Sequence, residues 1–416
     1  MKRYAYISKF ALLAILLFSS RREAHAQGID SMAQQLKGSD TILPKLNMDA
    51  LYNRPFLALG KSGIALGGYA EAKTHYAVTD GIPDGFHFQM QRFTLFLSST
   101  IHRKIKFLSE LEFEGGTKEI NIETALIDVE VHPLLVFRSG ILMNPIGGFN
   151  QNHDGPRWDF VERPFVATEI IPSTWSNVGM GFWGKTFQGK WTLGYEAYLT
   201  NGLNERLILN ENNRTSFASA KMDPDRFERS ASGLPMWNAK IAIRNRDLGE
   251  AGISAVRGVY NTWRKNGIRV ANPYAATLIA LDLNTTLLNQ KISLTGEWVQ
   301  AFIEMPSNYI GNYGRKQMGG FLDLVGTVRE GRCLGWDHTR INIGLRAEYV
   351  DYNRNRFANE GRRMAEDSWA ITPTLAFRPT GSTVLRINYQ YSEQQDLIGN
   401  PPARTGILLL GISSYF

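Results

Sequence analysis

Long runs of this chain alternate apolar and polar residues with period two, and that pattern limits its fold more than any other feature. In 382–393, Leu385, Ile387, Tyr389 and Tyr391 fall on one face, with Arg386, Asn388 and Gln390 on the other. In 338–352, Ile341, Ile343, Leu345, Ala347 and Tyr349 oppose Arg340, Asn342, Gly344, Arg346 and Glu348; in 103–114, Ile105, Phe107, Leu111 and Phe113 oppose Lys106, Glu110, Glu112 and Glu114. Period two is the signature of a strand with two different surroundings. Sixteen such runs are expected, at 62–75, 86–99, 103–114, 121–132, 134–144, 177–187, 190–201, 236–246, 250–263, 275–286, 291–303, 316–329, 338–352, 367–378, 382–393 and 404–416. Of these, 250–263 and 316–329 alternate poorly. The runs are about 11–15 residues long, against roughly 5–6 in soluble sheets, and that is enough for a tilted bilayer crossing.

The connections alternate in length. Short ones fall at 99–103, 132–133, 188–189 and 378–382, and long ones at 78–85, 144–176, 202–235, 353–366 and 393–403; the turn 329–337 is long for its side. Short turns on one side and long loops on the other characterise transmembrane barrels. After residue 26 no run approaches 18 apolar residues, so no spanning helix is expected, and a closed barrel is the other structure that satisfies its backbone in lipid. The expected fold class is all-β: a transmembrane antiparallel β-barrel of about sixteen strands, wide enough for an aqueous lumen. The chain stops on Phe416, with Ile412, Leu410 and Leu408 on the same face. In barrels of that class an aromatic last residue is what the assembly machinery of the outer membrane recognises. Phe416 is therefore expected to contact that machinery, and its face to meet outer-membrane lipid.

Residues 1–26 read as a secretory signal peptide: Lys2, Arg3 and Lys9, an apolar core over 10–18, then Ala24-His25-Ala26 before the cleavage point. Residues 27–60 form a polar periplasmic lead-in broken by Pro44 and Pro55, with room for a short helix at 31–36, and 61–416 is the barrel. The expected location is the outer membrane of a Gram-negative bacterium. The whole chain has 46 basic and 39 acidic residues; removing the five and one in 1–26 leaves 41 and 38, a net charge near +3. That balance, with no basic run interleaved with aromatics, argues against nucleic acid as a partner. A single cysteine, Cys333, excludes an intramolecular disulfide and a CxxC site.

Alternation stops between 140 and 181. The stretch GILMNPIGGFNQNHDGPRWDFVERPFVATEIIPSTWSNVGMG holds four prolines (Pro145, Pro156, Pro164, Pro172) and the pair Gly147-Gly148, which forbid a continuous helix or a central strand. Structureless loops of this length are usually functional. Its charged and titratable residues, His153, Asp154, Arg157, Asp159, Glu162 and Arg163, are the candidate constriction of a pore. Parity assigns the pore lining. Glu71, Glu110, Glu112, Glu114, Asp128, Glu130 and Glu196 point inward from the first seven strands; Lys240, Arg244, Arg340, Arg346, Arg378 and Arg386 do so from the later ones. The expectation is an acidic wall facing a basic one.

Several of these segments resemble one known family. GGYAE (67–71), QRFTLFLSS (91–99), IKFLSELEFE (105–114) and the run GILMNPIGGFNQNHDGP…ERPFVATEIIPSTW (140–175) look like porins related to the phosphate-selective porin O and P family. The match covers about 63–200 and the last strand, and the loop motif is its most specific part. The resemblance implies a sixteen-stranded outer-membrane channel, often trimeric, with an infolded constriction loop. Phosphate selectivity does not carry over, because this lumen has as many acids as bases where the phosphate-specific members carry an arginine ladder and a lysine cluster.

Other motifs lack the context their chemistry needs. Gly179–Thr186 fits G-x-x-x-x-G-K-T, but it alternates as a strand and is followed at once by another strand, not a helix. The seven histidines are scattered, so neither a metal nor a cofactor is expected. The chain is read as a non-enzyme: a general or mildly selective diffusion porin for small hydrophilic, anionic solutes. The alternatives are a porin specific for a phosphorylated or carboxylated nutrient, or a barrel serving as an adhesin through its long loops 202–235 and 353–366 or as an enzyme. In the enzymatic form, a phospholipase, His153-Asp154 would have to work with Ser173 or Ser176.

Overall fold

A computed structural model describes residues 47, 50–58, 63–116, 118–212, 214–306, 314–357 and 361–416. The expected signal peptide and the helix at 31–36 lie outside the described residues. Sixteen long strands follow in order: β1 Ile64–Thr79, β2 Ile82–His102, β3 Ile105–Glu114, β4 Glu119–His132, β5 Leu135–Met143, β6 Ser176–Gln188, β7 Trp191–Thr200 and β8 Met236–Asn245. The second half comprises β9 Gly249–Val259, β10 Ala275–Leu287, β11 Ile292–Ile303, β12 Lys316–Cys333, β13 Trp336–Asp351, β14 Asp367–Arg378, β15 Thr383–Gln394 and β16 Ala403–Tyr415. Each pairs antiparallel with its neighbours in sequence, and β16 returns to β1 from Thr405↔Thr79 to Tyr415↔Tyr69, closing a sixteen-stranded barrel. Closure leaves no sheet edge in the ring.

One end of the barrel carries only tight turns, at 103–104, 133–134, 189–190, 246–248, 288–291, 334–335 and 379–382. The expected long turn 329–337 shrinks to Leu334-Gly335, because β12 runs on to Cys333 through register shifts opposite β13. At the other end, 78–85 is not a long loop. Asp80-Gly81, with φ of 50° and 85°, makes a two-residue turn between strands that both extend past the expected limits. Asp-Gly is a strong two-residue hairpin signal, since both residues tolerate positive φ. The long connections are 144–175, 201–235, 260–274, 304–315 and 352–366.

Parity holds along the strands. Ile343, Leu345, Leu385, Ile387, Leu408 and Leu410 are exposed on the outside, while Asn342, Arg346, Arg386, Asn388 and Gln390 are buried inside. A water-soluble sheet buries its apolar face; here the apolar face is the exterior, as lipid would require. Phe416 continues the outer face, stacking on Phe93 at 5.7 Å, and its N–H donates to the Gly68 carbonyl.

The lead-in departs from expectation. Of its described residues, Asn47 and 50–54 lie within the ring and not beneath it, while Leu57-Ala58 joins the sheet of the wall. The Arg54 guanidinium sits 4.0 Å over the Phe96 ring, Tyr52 donates to Asp128, and Leu57-Ala58 pairs with Leu66-Ala65 of β1. Alternation carried no information here, because most of this segment is inside the barrel and only Leu57-Ala58 joins its wall.

Leu345 and Arg346 test the register, being adjacent but 46% and 2% exposed. Leu345→Arg is expected to cost about 2–4 kcal/mol at mid-depth of a hydrocarbon layer, read as loss of heat-modifiable folded barrel from membranes. Leu345→Met should leave that yield unchanged; an equal yield for the arginine variant would mean that this face is in water.

Candidate functional site: a loop seated across the lumen

Residues 144–175 leave β5 and fold into the barrel instead of away from it. A positive φ of 63° at Gly147 turns the chain, and a Cβ there would lie 2.5 Å from the Glu297 carboxylate. The amides of Gly148 and Phe149 donate to Glu297 Oε2 at 2.7 and 3.0 Å, and Lys240 Nζ donates to the Gly147 carbonyl at 2.6 Å. Gln151 donates to both oxygens of Glu196 on β7. On the opposite wall the Val161 amide donates to Asn388 at 2.6 Å and the Phe165 amide to Glu348 at 2.7 Å. Arg386 donates to the carbonyls of Gly155 and Phe160, and Arg346 to that of Glu162. Strands from all round the ring thus hold one loop, largely by its backbone.

The apolar side chains of the loop have a separate seat. Ile146, Phe149, Val166, Ile170 and Trp175 pack with inward-facing Leu278, Ala280, Val299 and Ala301 of β10 and β11, and with Leu207 and Phe217 from the loop 201–235. A single π-helical turn, Val166–Ile170, brings these side chains together.

A compact ionic cluster lies at the centre. His153 Nε2 is 3.2 Å from Glu110, and its Nδ1 is 2.9 Å from the Asn150 carbonyl. Arg54 donates to Glu110 at 2.8 Å and to both oxygens of Asp154, at 3.1 and 2.8 Å; Tyr415 donates to Asp154 at 2.8 Å. Burial alone would raise the Asp154 carboxyl, yet the guanidinium groups of Arg54 and Arg157 hold it well below the usual carboxylate range. Its contribution to stability is therefore complete above the ordinary value of about 3.9 and is lost only as pH falls through the lower folded value. Glu110, His153 and Asp154 have the composition of a metal site, but Arg54 already supplies the positive charge there.

The other predicted loop residues are also placed. Arg157 donates to Tyr415 and to the Ala50 carbonyl, Asp159 accepts from Arg378 at 2.8 Å, and Glu162 meets Lys73 at 2.5 Å. Arg163 keeps Nε and Nη2 buried without a hydrogen-bond partner among the described residues. Of the predicted lining, Glu110, Glu112, Asp128, Arg346 and Arg386 are buried inside, while Glu130 and Arg340 are half-buried near the tight-turn end.

The expected division into an acidic and a basic wall does not hold. Arg92 on β2 lies 3.1, 3.7 and 2.6 Å from Glu71, Glu112 and Glu114, and Arg138 on β5 binds Asp128 at 2.8 Å. Across the lumen, Asp323 binds Arg346 at 2.7 Å and Asp282 binds Lys240 at 3.0 Å. A buried charge left alone costs several kcal/mol, so adjacent strands carry opposite signs. Strand parity would have found Arg92 and Arg138; no sequence signal marked Arg54.

Between the loop and β10–β14 at the tight-turn end lies a cavity of about 300 Å³, lined by Arg157, Lys291, Arg340, Arg378, Asp159 and Asp323 with Trp158 and Phe160.

An anion-selective porin from Comamonas acidovorans superposes with a TM-score of 0.54 at 13% identity, over 86% of this chain and 100% of that one. The fold is that of the outer-membrane porins. OprB of Pseudomonas putida (TM-score 0.54, 11% identity, 85% and 94% covered) and the outer membrane channel DcaP of Acinetobacter baumannii (0.53, 11%, 85% and 97%) share it. No family model matches the sequence. An uncharacterized protein of Aquifex aeolicus (strain VF5) is 31% identical over 166 residues, a match spanning 36% of this chain and 37% of that relative.

Arg54→Ala would leave Glu110 and Asp154 buried with one cation fewer. Breaking a buried pair costs about 3–5 kcal/mol, so the folded variant should be cleaved within 144–175 by protease at concentrations the wild type survives. Equal resistance would mean that the wall contacts alone hold the loop.

Proposed function

We propose that this protein is an outer-membrane channel for small hydrophilic solutes, with preference for anions. The carrying observation is the seated loop and the cavity beneath it, where four cations (Arg157, Lys291, Arg340, Arg378) face two anions (Asp159, Asp323). Asp159 and Asp323 are each paired with an arginine, at 2.8 and 2.7 Å, as Arg157 and Arg340 are with Asp154 and Glu330, at 3.6 and 2.8 Å, so the lining charge without an ion pair among the described residues, and open to a solute, is that of Lys291. The apolar exterior and the porin fold support a membrane location, with residues 1–26 as export signal and Phe416 as the contact for assembly machinery. A relation to the phosphate-selective porin O and P family, and the trimer it implies, rests on the loop motif and belongs to the same proposal.

A more specific reading is favoured by Trp158 and Phe160 beside Arg157 and Arg378. Flat apolar rings next to guanidinium groups suit a carboxylated or phosphorylated nutrient with an apolar or sugar-like body. The enzymatic alternative finds no support in the geometry. Both ring nitrogens of His153 face protein partners, neither of them a serine, and the Ser173 hydroxyl donates to the Ala167 carbonyl.

Reversal potentials across planar bilayers in a salt gradient test the proposal. The wild-type channel should favour anions. Lys291→Glu and Arg340→Glu should each move the potential toward cations, more at low salt where screening is weak. A cation-selective wild type would overturn the anion preference, and block of current by small carboxylates or phosphates at low concentration would favour the specific channel.

A further inference from the structure

The β1–β2 hairpin projects beyond β3 on one side, while on the other β1 stays paired with β16 as far as Thr79. β2 begins at Ile82, but its pairing with β3 starts only at Arg92↔Glu114, so the outer edge of 82–90 has no strand beside it. Near the tip of this hairpin His75 and His87 stand directly opposite each other, with ring centroids 5.1 Å apart and an interplanar angle of 29°. Both lie on the inner face, in line with Glu71 and Lys73 of β1.

Asp84 completes the group because of a bulge. Ala77 pairs with Gly85 and Val78 with Pro83, so Asp84 is left over between them, and Gly85 takes a φ of 91°. Without the extra residue, Asp84 would share the outer face with Phe86. A bulge re-aims a side chain in this way. The Asp84 carboxylate lies 3.3 Å from His87 Nε2, which also meets the Asp84 carbonyl at 3.1 Å. One donor atom from each of His75, Asp84 and His87 falls within 4.8 Å of the others. Ligands on a tetrahedral ion with bonds of about 2.0–2.1 Å stand about 3.4 Å apart, a distance these accessible side chains reach by small rotations. Unlike the Glu110–His153–Asp154 cluster, no arginine or lysine among the described residues forms an ion pair with Asp84.

We propose that His75, Asp84 and His87 bind a divalent transition-metal ion at the mouth of the barrel, bridging the two strands of the projecting hairpin. Two imidazoles and one carboxylate suit Zn²⁺, Ni²⁺ or Cu²⁺, whereas Ca²⁺ and Mg²⁺ take oxygen ligands. Three protein ligands leave a coordination position open to water or to a donor group on a passing solute.

The test uses the full chain, purified in detergent and stripped with EDTA, titrated with Co²⁺ by visible absorption and with Zn²⁺ by calorimetry. The wild type should bind one ion per chain. The double variant His75→Asn, His87→Asn should lose at least about tenfold in affinity, as weaker perturbations of metal sites already do, and Asp84→Asn should weaken binding. His132→Asn, at the opposite end, should bind as the wild type does. Heat modifiability reports folding, and if the double variant does not fold, His87→Asn alone decides by the same comparison. Absence of binding by the wild type, or equal affinity in the folded variants, would overturn the proposal.

Discussion

A charge taken out of water has to meet its counter-charge, and the interior of this barrel is built around that requirement. Glu71, Glu110, Glu112, Asp128, Asp323, Arg92, Arg138, Arg346 and Arg386 all point into a ring that would otherwise be wet. Once the loop 144–175 occupies that ring, their hydration must be replaced. Arg386 and Arg346 donate to loop carbonyls, Glu297 and Glu348 accept from loop amides, and Arg54 closes the centre between Glu110 and Asp154. Each of these interactions is modest net of desolvation. Together they specify where the loop lies, because any displacement strands several charges at once.

The barrel wall answers to two other solvents. Its exterior is apolar where hydrocarbon would lie; its interior mixes polar groups with apolar patches, one of them over β10 and β11, where Leu278, Ala280, Val299 and Ala301 face inward. That patch is covered by Ile146, Phe149, Val166, Ile170 and Trp175 of the loop. In this sector Val256, Phe321 and Val325 are buried inside while Arg257 and Lys316 are exposed outside, which is why 250–263 and 316–329 blurred the alternation. The loop is therefore held on one side by apolar packing together with hydrogen bonds to Glu297 and Lys240, and on the other by hydrogen bonds to Asn388, Arg386, Glu348 and Arg346. The space beside it at the tight-turn end is the cavity lined by Arg157, Lys291, Arg340 and Arg378 together with Asp159 and Asp323.

Much of the site was legible from parity. Glu110, Glu112, Asp128, Arg346 and Arg386 face inward as expected, because a period-two strand has only two faces and the neighbouring apolar residues identify the other. Pairing was not legible. Whether Arg92 neutralises Glu71 or Arg138 neutralises Asp128 depends on which strands are adjacent and in what register, and the expectation of two opposed walls failed for that reason. The central Arg54 lay in a lead-in without alternation, so its place between Glu110 and Asp154 could not be inferred.

What the sequence by itself determined is local and periodic: the sixteen strands, the face each side chain takes, the tight turns at one end, and the interruption between 140 and 181. These follow from backbone geometry, which fixes a period of two and gives proline and glycine special positions in it. Only the tertiary structure decided which wall groups seat the interrupted segment across the lumen, that the lead-in enters the ring, and that His75, Asp84 and His87 converge. Those outcomes join residues far apart in the chain or turn on a single bulge, and strand closure and register set them, not any pattern within one segment.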